Sequence, residues 1–161
     1  MPDAQITNPS GAFGQTATAS QTIRSYNNNS GGTLLPGDVV VFGVDVTGAN
    51  CTTTTTVNDK TVLGVVGAKS PSDSLSTQSA VGTFAAGSSV PIVINGSARI
   101  NIGANTVAAG DILTTSAVAK VAAVNAGAPA ANAVSGSLIA TALEASGAKD
   151  VNNTIRAYIN K

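Results

Sequence analysis

The fold class is indicated most clearly by residues 91–102, which read PIVINGSARINI. Ile and Val favour strands, and the pair Asn95-Gly96 tolerates the positive φ angles of a two-residue type I′ turn. The stretch therefore predicts a β-hairpin in which Ile94 lies opposite Ser97. One face of this hairpin would be apolar and carry Val93, Ala98, Ile100 and Ile102. The other face would mix Ile92 and Ile94 with Ser97, Arg99 and Asn101.

The chain after residue 34 has the same β character throughout. Short runs rich in Val, Ile and Thr are separated by Gly, Pro, Asn and Asp, which is the pattern of a sandwich or small barrel. The predicted strands lie at 38–46, 61–68, 91–94, 97–102, 111–115, 137–145 and 153–160. The Thr run at 52–56 and the Ala-rich residues 121–134 are predicted to be loops or edges. We therefore expect an all-β fold, a small β-barrel or sandwich, over residues 34–161.

Two similar segments occur in this region, residues 35–40 (LPGDVV) and residues 108–113 (AAGDIL). Each reads as a tight turn that launches an apolar strand, because Gly relaxes the backbone and Asp caps free amides. A further apolar strand begins about 23 to 26 residues after each Asp. The pattern predicts an internal duplication.

The composition excludes most kinds of catalytic centre. The 161 residues contain no His, no Trp and one Cys, and only 10% of them are charged. Triads of the Ser-His-Asp kind require His, as do the usual mixed zinc sites. Cys51 has no partner for an internal disulfide and no basic neighbour, which is typical of an inert residue. We predict a protein that is not an enzyme and holds no cofactor or metal; a Ser/Lys dyad or a ligand-binding barrel is the alternative left open.

The charge balance argues against several classes of partner. Eight Lys and Arg offset eight Asp and Glu, for a net charge of +0. Nucleic-acid binding normally needs a basic patch, and no apolar run approaches the ~20 residues that span a bilayer. We expect no nucleic acid, membrane or small-molecule substrate. A mean hydropathy of +0.25 with few charges is typical of a subunit that buries surface in an assembly.

Residues 1–33 differ from the rest of the chain and predict an extended N-terminal arm attached to a barrel domain at 34–161. The segment is rich in Gln, Thr, Asn and Ser and has few apolar residues, so it cannot form a core of its own. Its apolar anchors, the candidate interface residues, are Ile6, Phe13, Ile23 and Tyr26. We expect the arm to order on a neighbouring subunit, with a frayed terminus as the alternative. Deleting 1–33 is expected to leave a folded monomer that assembles poorly.

Six segments, taken in order, resemble a known family. They are 34–40 (LLPGDVV), 63–67 (LGVVG), 90–96 (VPIVING), 109–113 (AGDIL), 136–144 (GSLIATALE) and 154–159 (TIRAYI). This succession resembles the small β-barrel decoration (cement) proteins of tailed-phage capsids, and a similar ending occurs in domains of phage tail fibres. The chain departs from that ending at Ala140, where Gly is usual.

The resemblance implies a non-enzymatic virion protein that binds and stabilises an assembled capsid. It implies that the partners are the major capsid protein and other copies of this chain, as a homotrimer. It further implies a place on the outer capsid surface after synthesis in the host cytoplasm. The alternative is a structural subunit of a phage tail or fibre, or of a self-assembling extracellular filament.

Overall fold

A computed structural model describes residues 21–44, 48–68, 82–125 and 136–161. These residues are nearly all β, which confirms the predicted fold class. Within the described ranges the strands are β1 (Thr22–Asn28), β2 (Val39–Phe42), β3 (Asn50–Thr52), β4 (Val62–Val66), β5 (Ser89–Asn101), β6 (Ile112–Thr115), β7 (Ala122–Val124), β8 (Leu138–Ala142) and β9 (Thr154–Asn160). In the same described ranges, a 3-10 turn at Ser146–Ala148 precedes β9.

Five strands close into a barrel in the order β1-β3-β2-β4-β5, because β5 also pairs with β1. The β1–β3 pairing is parallel, with Asn27 opposite Asn50, and the other pairings are antiparallel. The strand β1 lies in the range that the sequence assigned to an arm. Its residues pair with strands of the same chain, whereas residues 1–20 lie outside the described ranges.

The second half of the chain extends the sheet from the far end of β5, in the order β5-β9-β8-β6-β7. One apolar cluster fills the barrel and includes Leu34, Val40, Cys51, Leu63 and Ile92. A larger cluster joins Val39, Val65 and Val93 to residues of β8 and β9, such as Ile139 and Ile159. Strands β2 and β4 are therefore buried on both faces, which explains their continuous apolar sequences, VVV and VLGVV.

The hairpin predicted at Asn95-Gly96 is wrong. Strand β5 runs without interruption through both residues, and Asn95 and Gly96 pair with Asn160 and Ile159 of β9. Long-range pairing along β9 and β1 outweighs the local preference for a turn. The predicted apolar face is nevertheless correct, since Val93 and Ala98 belong to one cluster. In a regular strand, residues an odd number of positions apart point to opposite faces, yet Val93 and Ala98 share one. The alternation of side chains therefore inverts between them, at Gly96, which has φ 107.

The two similar segments form the same local structure. Gly37 and Gly110 have φ 95 and 92, and each occupies the third position of a four-residue turn. Each turn glycine donates its N–H to the last residue of a later strand, Val66 or Ala142, at 2.8 Å in both cases. The antiparallel pairs β2–β4 and β6–β8 also share a one-residue register shift. The sheet order reflects the repeat, since β3-β2-β4-β5 is mirrored by β9-β8-β6-β7.

A buried ion pair anchors the turn that precedes β9. Arg99 lies 3.5 Å from Asp150, and their side chains are 5% and 8% exposed. Arg99 also donates to the carbonyl oxygen of Thr154 at 3.2 Å. Burial raises the pKa of Asp150, but hydrogen bonds from Thr154 and Asn152, together with the Arg99 charge, outweigh it and lower the pKa overall.

Candidate interaction surface

Two of the four sequence-predicted interface residues, Ile23 and Tyr26, lie in the part of the chain that the structure describes. Ile6 and Phe13 lie outside the described residues. Ile23 and Tyr26 both lie in β1, but three positions separate them, so their side chains point to opposite faces of the strand. Ile23 is 38% exposed, whereas Tyr26 packs against the barrel interior. Their role in an interface stays a prediction.

One end of the barrel is open and forms a groove, which we call the barrel mouth. Its volume is about 180 Å³. Its apolar lining comes from four strands and consists of Tyr26, Phe42, Val62, Leu63 and Ile94, and the cations Arg24 and Lys161 complete it. The opposite end is closed, because Leu34 and Phe84 are buried there and exchange two backbone hydrogen bonds of 2.9 Å.

Two aromatic rings stand beside each other in the barrel mouth. The ring centroids of Tyr26 and Phe42 are 6.1 Å apart and the rings are inclined at 77°, an edge-to-face arrangement. Phe42 is 46% exposed, although it ends an apolar run. It is the last residue of β2, where the strand reaches the open end. Phe84, by contrast, is 6% exposed.

The two charged side chains of the barrel mouth are both cationic. Arg24 is exposed on β1. The backbone N–H of Lys161 donates to the carbonyl oxygen of Ile94 at 2.9 Å, which fixes the end of the chain against β5. Burial lowers the pKa of the Lys161 ammonium group, and its Nζ donates to the carbonyl oxygen of Gly136. The mouth therefore offers an apolar floor with a cationic rim.

The one cysteine and the acidic side chains of the described residues form neither a reactive thiolate site nor a metal-binding cluster. Cys51 is fully buried in the barrel, and burial raises the pKa of its thiol and so disfavours the reactive thiolate. In the part of the chain that the structure describes, no three Asp, Glu or Cys side chains gather into a set that could hold a metal ion. Over the same ranges no helix has the length and hydropathy needed to cross a membrane.

The sequence does not indicate that the residues of the barrel mouth lie together. Leu63, Ile94 and Lys161 are distant in the chain and meet only because the barrel closes. A sequence signal did exist for Phe42, which ends the apolar run VVVF just before Gly43. A large aromatic at the end of a strand is well placed to lie at the rim of a barrel rather than inside it.

The fold is similar to that of a chain found in a phage capsid. A chain in the capsid of Myoviridae phage XM1 superposes with a TM-score of 0.50 and 17% sequence identity, over 88% of this chain and 84% of that chain. The N base of the head fiber gp8.5 of bacteriophage phi29 gives a TM-score of 0.44 and 12% identity, over 87% and 94% of the two chains. Neither a protein-family model nor a curated protein matches the sequence. At 17% identity, the first likeness shows a shared fold.

Proposed function

We propose that this chain is a structural protein of a phage virion that binds and stabilises an assembled capsid as a decoration protein. The open, apolar barrel mouth, a surface suited to being covered by another subunit, is the observation that carries the proposal of an assembly protein. An aromatic pair left half exposed in a groove, on a chain with a net charge of +0, suits a protein whose surface is covered in an assembly. The fold shared with a chain of a phage capsid supports the same class of protein.

The partners in this proposal are the major capsid protein and other copies of the chain, arranged as a homotrimer on the outer capsid surface. A protein that binds the assembled lattice, and not the loose capsid subunits, stabilises the lattice by mass action. Several weak contacts made together by one oligomer add avidity. No reactive side chain is needed for this role.

The test compares capsids with and without the purified protein. We expect electron microscopy to show added density on the outer surface and the capsids to withstand higher temperature before they release their contents. Unassembled capsid subunits serve as the control and should bind the protein weakly. Capsids with no added density and unchanged heat resistance would contradict the proposal. Filaments formed by the purified protein alone would instead support a tail, fibre or filament subunit.

A further inference from the structure

We propose that the barrel mouth binds residues 1–20 of a second copy of this chain, with the Phe13 ring seated beside Tyr26 and Phe42. The inference rests on the proposed function only in that a decoration protein acts as an oligomer. It assigns the contact that joins the copies and leaves the capsid-facing surface unassigned.

The size of the barrel mouth fits one aromatic ring. Its volume of about 180 Å³ exceeds the ~150 Å³ at which an apolar protein cavity accepts benzene. The walls are apolar on four strands, and Tyr26 and Phe42 already stand edge to face. A third ring beside them would gain aromatic contacts of the same kind.

The chemistry of residues 1–20 matches this groove. Phe13 is the one aromatic residue in the segment, and Ile6 is a second apolar anchor. Asp3 is its one charged side chain. An otherwise uncharged segment with a single acid is compatible with a rim formed by Arg24 and Lys161. A strongly basic occupant would be repelled there.

The direction of β1 favours a second copy over the same chain. Strands β1 and β5 are antiparallel, with Asn27 opposite Ser89 and Thr22 opposite Asn95. Towards its N-terminal end, β1 therefore lies beside residues of β5 with higher numbers. The Gln21 side chain then donates to the carbonyl oxygen of Ser97, in the half of β5 that pairs with β9. Gln21 thus lies beyond the mouth, and β1 at this point runs along the half of β5 that leads away from the barrel. Twenty extended residues reach roughly 66 Å at ~3.3 Å each, enough to meet a neighbouring barrel.

Disulfide trapping in a mixture of two full-length variants tests the contact. One chain carries Ala12→Cys and a mass tag, which leaves Phe13 in place. The other carries Arg24→Cys, at the rim of the mouth. Ser25→Cys is the matched control, because Ser25 is also exposed but lies on the opposite face of β1. Native Cys51 is fully buried and can remain.

We expect the tagged chain to form a mixed disulfide with the Arg24→Cys chain at least tenfold faster than with the Ser25→Cys chain. Equal rates, or no mixed disulfide, would overturn the proposal. So would a disulfide that forms within a single chain carrying both Ala12→Cys and Arg24→Cys, if the mixture forms none. The experiment uses purified protein without capsids, so a failure here is distinct from a failure of capsid binding.

Sedimentation of the same protein gives a second measurement that needs no engineered cysteine. Phe13→Ala and Phe42→Ala should each weaken self-association at least tenfold, as interface aromatics commonly do, and the double variant should be little weaker than either. Tyr158→Ala is the control, since Tyr158 is 44% exposed, close to the 46% of Phe42, and lies outside the mouth. Unchanged association of the Phe42→Ala variant, or equal loss with Tyr158→Ala, would overturn the inference.

Discussion

Asp38 and Asp111 make the same hydrogen bond at equivalent turns. The carboxylate of Asp38 accepts the backbone N–H of Leu35 at 2.9 Å, and that of Asp111 accepts the N–H of Ala108 at 2.8 Å. The two turns differ in their surroundings. Asp38 is 2% exposed and also accepts from the Asn101 amide at 3.2 Å, whereas Asp111 is only partly buried. The turn at Asp38 is therefore fixed to the rest of the fold, whereas the similar turn at Asp111 lies near the surface.

This difference predicts unequal costs for the same substitution. Asp111→Ala removes one cap and should cost about 1 kcal/mol of unfolding free energy. Asp38→Ala also leaves two partly buried donors unsatisfied, the Leu35 N–H and the Asn101 amide, and it should cost about 1 to 3 kcal/mol more. Urea unfolding of the two variants measures both values. Equal losses would show that burial of the first turn adds nothing to its stability.

A second prediction concerns Gly64, which is the counterpart of Ala140 in the duplicated strand pair. Val40 lies opposite Gly64, and Leu113 lies opposite Ala140, next to the same register shift. A Cβ on Gly64 would overlap the carbonyl oxygen of Val93 and lie 3.0 Å from the Ile92 side chain. Gly64→Ala should therefore cost about 1 to 3 kcal/mol or more, since the backbone oxygen cannot move cheaply.

The reverse substitution, Ala140→Gly, is the matched control for Gly64→Ala. It removes a buried methyl and adds backbone freedom, so it should cost only about 1 kcal/mol. Thermal unfolding followed by circular dichroism compares the two variants. A Gly64→Ala protein as stable as wild type would contradict the close approach of β4 and β5 at this point.

Local signals explain what the sequence could predict. The turns at Gly37 and Gly110 depend on a glycine with positive φ and an Asp three positions after the residue that it caps, and both features lie within four residues. The likeness of the two turns could be predicted from the sequence for that reason. The two faces of β5 could also be predicted from the local sequence, because apolar side chains alternate on either side of Gly96.

Non-local pairing explains what the sequence could not predict. Nothing near Asn95-Gly96 shows that β9 and β1 lie beside these residues, so a hairpin was the natural interpretation. Strand β1 is polar at most positions and becomes a strand because it closes the barrel between β3 and β5. The barrel mouth follows from that closure. Its members, such as Tyr26 and Lys161, have no shared pattern along the chain.

A third prediction concerns the ion pair between Arg99 and Asp150. Asp150→Ala leaves the buried Arg99 guanidinium without its carboxylate and should cost about 3 to 5 kcal/mol. The pair of Arg156 and Glu144 is the control. Its nitrogen and oxygen are 3.0 Å apart, but the side chains are 43% and 24% exposed, so Arg156→Ala should cost at most about 1 kcal/mol. Similar losses for the two variants in urea unfolding would contradict the distinction.

A fourth prediction concerns how the free energy of unfolding decreases at low pH. The pKa values of Asp59 and Asp150 lie below the ordinary 3.8, in both cases because hydrogen bonds to the carboxylate outweigh the opposing effect of burial. The unfolded chain therefore binds more protons between the lowered values and 3.8, and the stability that these groups add above 3.8 is lost as the pH falls through that window. Asp150→Asn should flatten this loss.

The pKa of Asp38 is shifted in the opposite direction, so Asp38 provides the control. Burial raises its pKa above 3.8, against the lowering effects of the Leu35 N–H, Asn101 and Lys120. Its contribution is therefore present in acid and declines as the pH rises through the raised pKa. Asp38→Asn should make the protein lose proportionally more stability on acidification than wild type. Unfolding free energies at a series of pH values compare the variants, and parallel curves for all three proteins would contradict these assignments.

The last prediction separates the two parts of the expected arm by truncation. Deleting residues 1–20 leaves β1 intact, so the protein should keep a cooperative transition within a few degrees of wild type but lose self-association.

Deleting 1–33 also removes β1, which opens the barrel and exposes the edges of β3 and β5. It removes the buried Asn28 as well, whose amide donates to the carbonyl oxygens of Gly32 and Phe84 at 2.8 and 3.0 Å. The shorter protein should therefore unfold or aggregate, contrary to the expectation from sequence that it stays a folded monomer. Circular dichroism and sedimentation of the two truncations decide between these outcomes. A stable, monomeric protein without residues 1–33 would show that β1 adds little to the barrel.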